Sequence, residues 1–324
     1  MNKILQNNAG MINKHLKTKM NGSPKILYDA AGHLIVNGGK RLRPYLVIKS
    51  CQILGGKKSM AMHAASAVEM VHNFTLVHDD IMDNDDVRHG VPTVHKKFST
   101  PIAILAGDVL FSKAYQIISN SRLPAESAIH IVKMLAKACV DVCEGQVLDI
   151  KMASEGKIPT QAQYIEMVRK KTAALFEVSC SMGAACATDD IKDISNLASF
   201  GRNLGVAFQI TDDLIGVMGD PKVTKKPVGN DLREGKKSLP ILLAIKTASG
   251  TDKKAITKVF GNPKASRSDL EKAVKIIRNL GIEKQVKTQA RRYSNRAENA
   301  LDEYPGSISD ELLGLLYFVE NRSL

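Results

Sequence analysis

The chain has 324 residues, 44% of them hydrophobic and 24% charged, with 23 Gly and 11 Pro. That balance supports a folded core and excludes disorder, collagen and low-complexity material. A net charge of +13 calls for an anionic partner or for solvated basic surfaces. Between Thr251 and Arg296 there are 13 Lys/Arg against 4 Asp/Glu, a net +9, with only Phe260 and Tyr293 as aromatics. No stacking platform for nucleic acid is visible there, so these charges are read as solvated helix faces and nucleic acid is not expected as a partner.

In chain order, the first 20 residues are polar and basic and lack the apolar stretch of a secretory leader. Helices are expected near 25–37, 41–54, 60–86, 101–119, 124–150, 160–187, 191–218, 238–247, 252–260, 268–280, 283–303 and 308–321, because Ala, Leu, Met, Lys and Glu dominate segments of helical length. Breaks fall at Gly38-Gly39, Gly55-Gly56, Gly90-Val91-Pro92, Gly156 to Pro159 and Gly261-Asn262-Pro263. Asp189-Asp190 and Ser307 to Asp310 read as helix starts. The long polar stretch from Gly219 to Lys237 reads as a binding loop or lid. No apolar run approaches the roughly 18 residues of a membrane span, so no transmembrane segment is expected. The five cysteines show no C-x-x-C pair; Cys139 and Cys143 lie one turn apart. They are read as reduced, mostly buried thiols of a cytoplasmic protein. The expected class is all-α, with residues 1–324 forming a single domain.

Two helices carry paired aspartates. Asp79 and Asp83 stand at i and i+4 on one face, which His72 and Leu76 extend toward the N-terminus. Like charges so placed repel unless a cation sits between them, and two hard carboxylates suit magnesium completed by phosphate and water. A solvated acidic helix end is the plain alternative, since Asp85 and Asp86 continue the run. A second stripe of Gly201, Gly205, Gln209, Asp212-Asp213 and Gly216 makes a poor core face and a good lining for a polar cavity. Gly38-Gly39-Lys40-Arg41-Leu42-Arg43-Pro44 offers backbone N–H groups and cations to an anion. Arg88, Lys171, Lys226 and Lys236 add further positive charge. Acidic walls for a metal and cationic walls for phosphate together describe diphosphate chemistry.

With GGKRLRP at 38–44, DDIMD at 79–83, DVRHGVPTVH at 86–95, KT at 171–172, FQITDD at 208–213 and KPVGNDLREGKKSLP at 226–240, the chain resembles the trans-isoprenyl diphosphate synthases, the polyprenyl synthetase family. The resemblance implies about a dozen helices around a large central cavity, with the two aspartate motifs across its mouth, and a homodimer. It implies that Lys40, Arg43 and His72 bind isopentenyl diphosphate. Asp79, Asp80 and Asp83 would form the first metal motif, and Asp212 with Asp213 the second, for about two to three magnesium ions. Arg88, Lys171, Lys226 and Lys236 would grip the allylic diphosphate (dimethylallyl, geranyl or farnesyl), with Thr172 and Gln209 beside the reacting carbons. Two positions depart from the family pattern. Gly216 stands where a third aspartate of the second motif is usual, and His89 replaces the second member of an Arg pair. As an isopentenyl diphosphate contact, His89 should make binding weaken from roughly pH 6.5 to 8.5. Phe74, at the fifth position before an uninterrupted motif, with the small Thr75 following, resembles the archaeal type of geranylgeranyl diphosphate synthase. Farnesyl or longer polyprenyl products and a non-catalytic subunit of a heteromeric prenyltransferase are the alternatives.

Overall fold

Helix follows helix along nearly the whole chain because Ala- and Leu-rich segments alternate with Gly/Pro punctuation. The computed structural model describes residues 2–219 and 229–321. The chain gathers into two compact units, Met1–Cys139 with Leu175–Gly201 and Tyr304–Leu312, and Val140–Ala174 with Arg202–Glu303 and Leu313–Leu324.

The first unit is built on α1 (Asn2–Lys19), α2 (Lys25–Asn37), α3 (Leu42–Ile53), α4 (Lys58–Met82) and α6 (Thr100–Ser119), with the single turn α5 (Val94–Lys97) between the last two. α4 runs along α6 and packs on α3. Small side chains are frequent on both helices: Ala61, Ala64, Ala65 and Ala67 on α4, with Ala103, Ala106 and Ala114 on α6, are all buried. Side chains this small let neighbouring helix backbones approach. α1 lies where no helix was expected. Its Leu5, Ile12 and Leu16 recur at helical spacing and are buried, and it packs on α3 and α4. α6 bears on the expectation that no segment spans a membrane. It is long and apolar enough, by length and composition, to cross one, with a mean hydropathy of 1.3 and 39% of that window buried. Here it packs on α4 and α2 as a core helix of its unit.

The second unit centres on the C-terminal part of α10 (Ile191–Met218), whose Val206, Ile210, Leu214 and Val217 are buried. Leu239, Ile241, Leu242 and Ile245 from the helix Leu239–Thr247, and Ile277, Ile282 and Val286 from the helices that follow, complete this core.

Predicted helix limits agree with the structure to within a few residues at most places. The exceptions carry information. The helix expected over 60–86 stops at Met82, and Val87–Arg88 pairs with Val91–Pro92 as a two-residue antiparallel hairpin. The helix expected over 160–187 is broken: α8 (Gln161–Val168) and α9 (Ala174–Ala185) are joined by a π-helical turn, Arg169–Ala173. The start read at Ser307 is the first residue of the helix Ser307–Glu320. All five cysteines are free, four of them buried and Cys143 exposed.

Candidate active site

In the first unit the Gly38-Gly39 break leads into a left-handed Arg41 (φ 52°) at the start of α3. Arg41 turns inward. Its Nη1 lies 2.7 Å from Glu69 Oε1, with both side chains 2% exposed. Its Nε donates to Asn13 Oδ1 at 2.7 Å, and its Nη2 donates to the Ile35 carbonyl. The middle cation of the GGKRLRP segment therefore braces the loop, while Lys40 beside it is exposed. Arg43 lies over the Phe176 ring, 4.8 Å from its centroid, and its Nη1 donates to His72 Nε2 at 3.1 Å. Guanidinium offers only donors, so His72 accepts at Nε2 and carries its proton on Nδ1. Burial first, then Arg43 and Arg41, holds His72 well below the ordinary histidine range. Burial also pushes Arg43 down to about 10, against the pull of Glu69. Arg43 Nε is buried without a partner, a donor of the kind an anion would satisfy.

The first aspartate motif divides by direction. Asp79 is half-buried and Asp83 exposed at the end of α4, while Asp80 is fully buried. Asp80 Oδ1 lies 2.5 Å from Arg88 Nε, and Asp80 Oδ2 is buried without a hydrogen-bond partner. Burial raises the Asp80 carboxyl against the opposing pull of Arg88. Asp80 thus orients Arg88 and stands apart from the outward pair. Arg88 sits on the hairpin whose two-residue turn is His89-Gly90, with φ 53° and 81°. Two left-handed residues between paired strands make the tight hairpin turn that matches strand twist. A Cβ on Gly38 would fall 2.8 Å from the His89 ring, so the hairpin tip rests on the Gly38 backbone. Burial first, then Arg88 and Arg41, pushes His89 below its usual value.

In the second unit the π-turn presents Lys171 and Thr172. Lys171 Nζ lies 2.6 Å from Asp149 Oδ2, and Lys170 pairs with Glu144, both acids on α7 (Ala125–Ser154). Between them sits Gly145, where a Cβ would come 2.2 Å from the Lys171 nitrogen and 2.6 Å from its Cα. Backbone cannot rotate away from a methyl group, so only glycine lets α7 seat the π-turn. Thr172 Oγ1 donates to Gln209 Oε1 at 2.9 Å, and Gln209 Nε2 donates to Asp213 Oδ1 at 2.7 Å. The buried Tyr164 hydroxyl donates to Asp213 Oδ2 at 2.6 Å. Burial carries the Asp213 carboxyl up to about 7, against the pull of those two donors. The second motif divides like the first: Asp213 points inward and Asp212 is exposed. Lys236, 3.5 Å from Asp231 and 3.0 Å from Glu234, keeps a raised pKa because these acids outweigh its desolvation. Lys226 lies outside the described residues.

Among the described residues, no cluster of three or more His, Cys, Asp or Glu could cage a metal by itself. Magnesium does not ask for one, since it binds through one or two carboxylates and takes its remaining oxygens from substrate phosphate and water. Asp79 with Asp83, and separately Asp212, are hard-oxygen donors of that kind. Asp149, Tyr164 and Gly145 are site residues that sequence reasoning missed, and Arg41, read with its segment as a cation offered to an anion, is instead paired with Glu69. Only Tyr164, a lone aromatic one helix before Lys171-Thr172, left a signal that could have been noticed.

Phe74 faces an aromatic row in the first unit. Its ring lies 4.8 Å from the His78 ring and 5.3 Å from Phe111 on α6, and Phe111 lies 5.0 Å from Tyr115. Thr75 donates from Oγ1 to the His72 carbonyl at 2.8 Å, so its small side chain is tied to its own helix.

The profile of the Polyprenyl synthetase family matches residues 24–277. A "Short chain isoprenyl diphosphate synthase" of Methanocaldococcus jannaschii is 42% identical over 267 residues, covering 82% of this chain and 80% of that protein. A "Geranylfarnesyl diphosphate synthase" of Aeropyrum pernix is 40% identical over 319 residues, covering 96% of this chain and 99% of that one. The crystal structure of a geranylgeranyl pyrophosphate synthetase from Pyrococcus horikoshii superposes with a TM-score of 0.93 at 36% identity, covering 99% of this chain and 98% of that one.

Proposed function

We propose that this chain, which belongs to the polyprenyl synthetase family and is a trans-prenyltransferase, condenses isopentenyl diphosphate with allylic diphosphates and releases geranylgeranyl diphosphate. The observation that carries the reading is the division of labour at the first motif. Asp79 and Asp83 are left toward solvent while Asp80 is buried and spent on orienting Arg88.

Ionising an allylic diphosphate separates a carbocation from a highly charged anion, and positive charge fixed at the leaving group lowers that cost. Asp79, Asp83 and Asp212 would hold magnesium, which supplies Lewis-acid stabilisation when bound. Arg88, aimed by Asp80, and Lys171, aimed by Asp149, add fixed cations to the leaving diphosphate, with Lys226 and Lys236 as further grips. Gln209 cannot rotate freely, because its amide donates to Asp213 and its carbonyl accepts from Thr172. The carbonyl oxygen and the Thr172 hydroxyl oxygen keep lone pairs to turn toward the cation. Lys40, Arg43 and neutral His72 bind the diphosphate of isopentenyl diphosphate; Arg43 Nε is the buried donor awaiting it. The double bond attacks the allylic carbon, the C–O bond to diphosphate having broken, and the proton lost from the adduct passes to the departed diphosphate. Each cycle adds five carbons.

A homodimer fits the exposed apolar side chains of the first unit, Ile104 and Leu105 on α6 and Ile129 on α7, which are 44%, 51% and 56% exposed. The five free cysteines fit a reducing cytoplasm. The test is incubation with magnesium, labelled isopentenyl diphosphate and each of dimethylallyl, geranyl and farnesyl diphosphate, followed by chromatography of the dephosphorylated products. A twenty-carbon alcohol is the expected result. Absence of label in any prenyl alcohol overturns the reading, and an endpoint of fifteen or twenty-five carbons replaces the product.

Gly145→Ala is expected to lower kcat by about a hundredfold, the effect of shifting a catalytic group by roughly an ångström. The new methyl must push the π-turn off α7 and carry Lys171 and Thr172 with it. Steady-state kinetics beside a circular dichroism spectrum checks this, since helicity should persist; wild-type turnover would show that the close approach is dispensable.

The pH dependence expected of His89 moves as well. Its pKa lies below the ordinary value, so at neutral pH it is already uncharged before substrate binds. The charged form, which favours an anion, is gained only as pH falls through that lowered value. The KM for isopentenyl diphosphate should therefore rise as pH climbs through a window below the ordinary histidine value and level above it, relative to His89→Arg, which stays charged. A constant ratio of the two KM values over that window removes His89 from the substrate contacts.

A further inference from the structure

The hairpin that carries Arg88 has two residues in each strand, with Val87 opposite Pro92 and Arg88 opposite Val91. A two-stranded ribbon is marginal on its own, so its position is set by what holds it from outside. α2 supplies one such hold. His33 on α2 is buried, 5% exposed, and its Nε2 lies 2.8 Å from the Pro92 carbonyl oxygen. A carbonyl only accepts, so Nε2 carries the hydrogen. The other ring nitrogen points to the same tautomer, since Nδ1 faces Lys97 Nζ at 3.3 Å and Asn37 Nδ2 at 3.4 Å. An ammonium only donates, and the Asn37 amide is oriented by its donation to the His33 carbonyl at 2.7 Å, so Nδ1 accepts. The Phe98 ring packs against the imidazole, 5.9 Å away and nearly perpendicular to it at 78°. Pro92 has no N–H, which leaves its carbonyl as the main-chain polar group through which α2 can hold that residue. The bond meets the hairpin one residue from Val91, the partner of Arg88. Asp80 aims the Arg88 guanidinium, but the Arg88 backbone moves with the ribbon.

We propose that His33 is a positioning residue for the allylic diphosphate: by donating from Nε2 to Pro92 it holds the hairpin against α2 and keeps Arg88 where that diphosphate binds. This rests on the reading that Arg88 grips the allylic diphosphate. It gives Lys97 a part as well, since its ammonium at Nδ1 keeps the hydrogen on Nε2. A core histidine that served stability alone would lower the melting temperature when replaced and leave allylic binding untouched.

Glutamine and asparagine separate the two ring nitrogens, because the amide nitrogen of Gln reaches as far as Nε2 and that of Asn only as far as Nδ1. His33→Asn should lower kcat/KM for geranyl diphosphate by about fivefold to tenfold, the scale of one lost hydrogen bond, and His33→Gln should stay within about twofold of the parent. On an Arg88→Ala background His33→Asn should lower it by less than about twofold more, because a residue that acts through Arg88 then has nothing left to position. Melting curves by circular dichroism show that each variant is folded. His33→Phe, which keeps a ring without the donor, takes the place of His33→Asn if that variant does not fold. If Arg88→Ala leaves kcat/KM unchanged, the reading of Arg88 as an allylic grip falls and the proposal with it. If Arg88→Ala lowers it and His33→Asn does not, Arg88 keeps its role and His33 is no positioning residue. Equal losses in His33→Asn and His33→Gln, or an undiminished loss on the Arg88→Ala background, would show that His33 acts through the fold and overturn the proposal.

Discussion

Asp79→Ala and Asp83→Ala are each expected to lower turnover by about two to three orders of magnitude, the scale of losing a preorganised group that stabilises transition-state charge. The two carboxylates lie one turn apart at the open end of α4, and either alone offers magnesium half of the protein ligands available there. The fold should not suffer, because neither side chain is buried. Asp80→Asn is the contrasting variant. The amide oxygen can still accept from Arg88, so Arg88 stays roughly aimed, but the charge that fixes it at 2.5 Å is gone. About a tenfold rise in the KM for the allylic diphosphate is expected, with the magnesium requirement unchanged, because a charge-assisted bond weakens to a neutral one. The measurement is initial rate against magnesium and against allylic substrate for all three variants. Near-normal turnover in Asp79→Ala or Asp83→Ala would remove the metal from this motif. A shifted magnesium requirement in Asp80→Asn would return Asp80 to the ligands.

What could be read from the chain before its structure depends on how local each feature is. Helical periodicity is local, so most helix limits follow from apolar spacing and Gly/Pro breaks, and Asp79 with Asp83 share a face for the same reason. The inward turn of Asp80 is not local. It needs Arg88, whose place follows from the His89-Gly90 turn, and that turn interrupts what reads as a continuing acidic helix end. The π-turn is equally hidden, because Arg169–Ala173 has ordinary helical composition and bulges where α7 presents Gly145 to its backbone. Tyr164 looks like one more core aromatic until Asp213 appears beside its hydroxyl. α1 is hard to read in sequence because its three buried apolar residues are spread over about three turns among lysines and asparagines. Gly216 reads in sequence as a missing aspartate, and only the tertiary approach of Asp231, whose Oδ2 lies 2.2 Å from where a Cβ would stand, shows what its small size permits.

The length of the product is expected to depend on a floor two rings deep. The growing chain should run from Asp79 toward the N-terminus of α4, which rises about 1.5 Å per residue, so that one turn of about 5.4 Å roughly matches one isoprene unit. Phe74 stands five residues before Asp79, and its ring meets Phe111 at 5.3 Å, with Tyr115 a further 5.0 Å beyond. Tyr115 is itself anchored, its hydroxyl 3.6 Å from Cys139 Sγ. Phe74→Ala should therefore lengthen the product past twenty carbons, but by about one isoprene unit only, because Phe111 closes the next turn. Phe74→Ala/Phe111→Ala should release a broader and longer set of products. An aromatic at Thr75, one residue nearer the motif, should act in the opposite sense; Thr75→Phe is expected to stop synthesis near fifteen carbons. Chromatography of the dephosphorylated products from farnesyl diphosphate and labelled isopentenyl diphosphate separates these outcomes. An unchanged distribution in Phe74→Ala would place the floor on another helix. Equal lengthening in the single and double variants would leave Phe74 as the sole stop and reduce Phe111 to its packing partner.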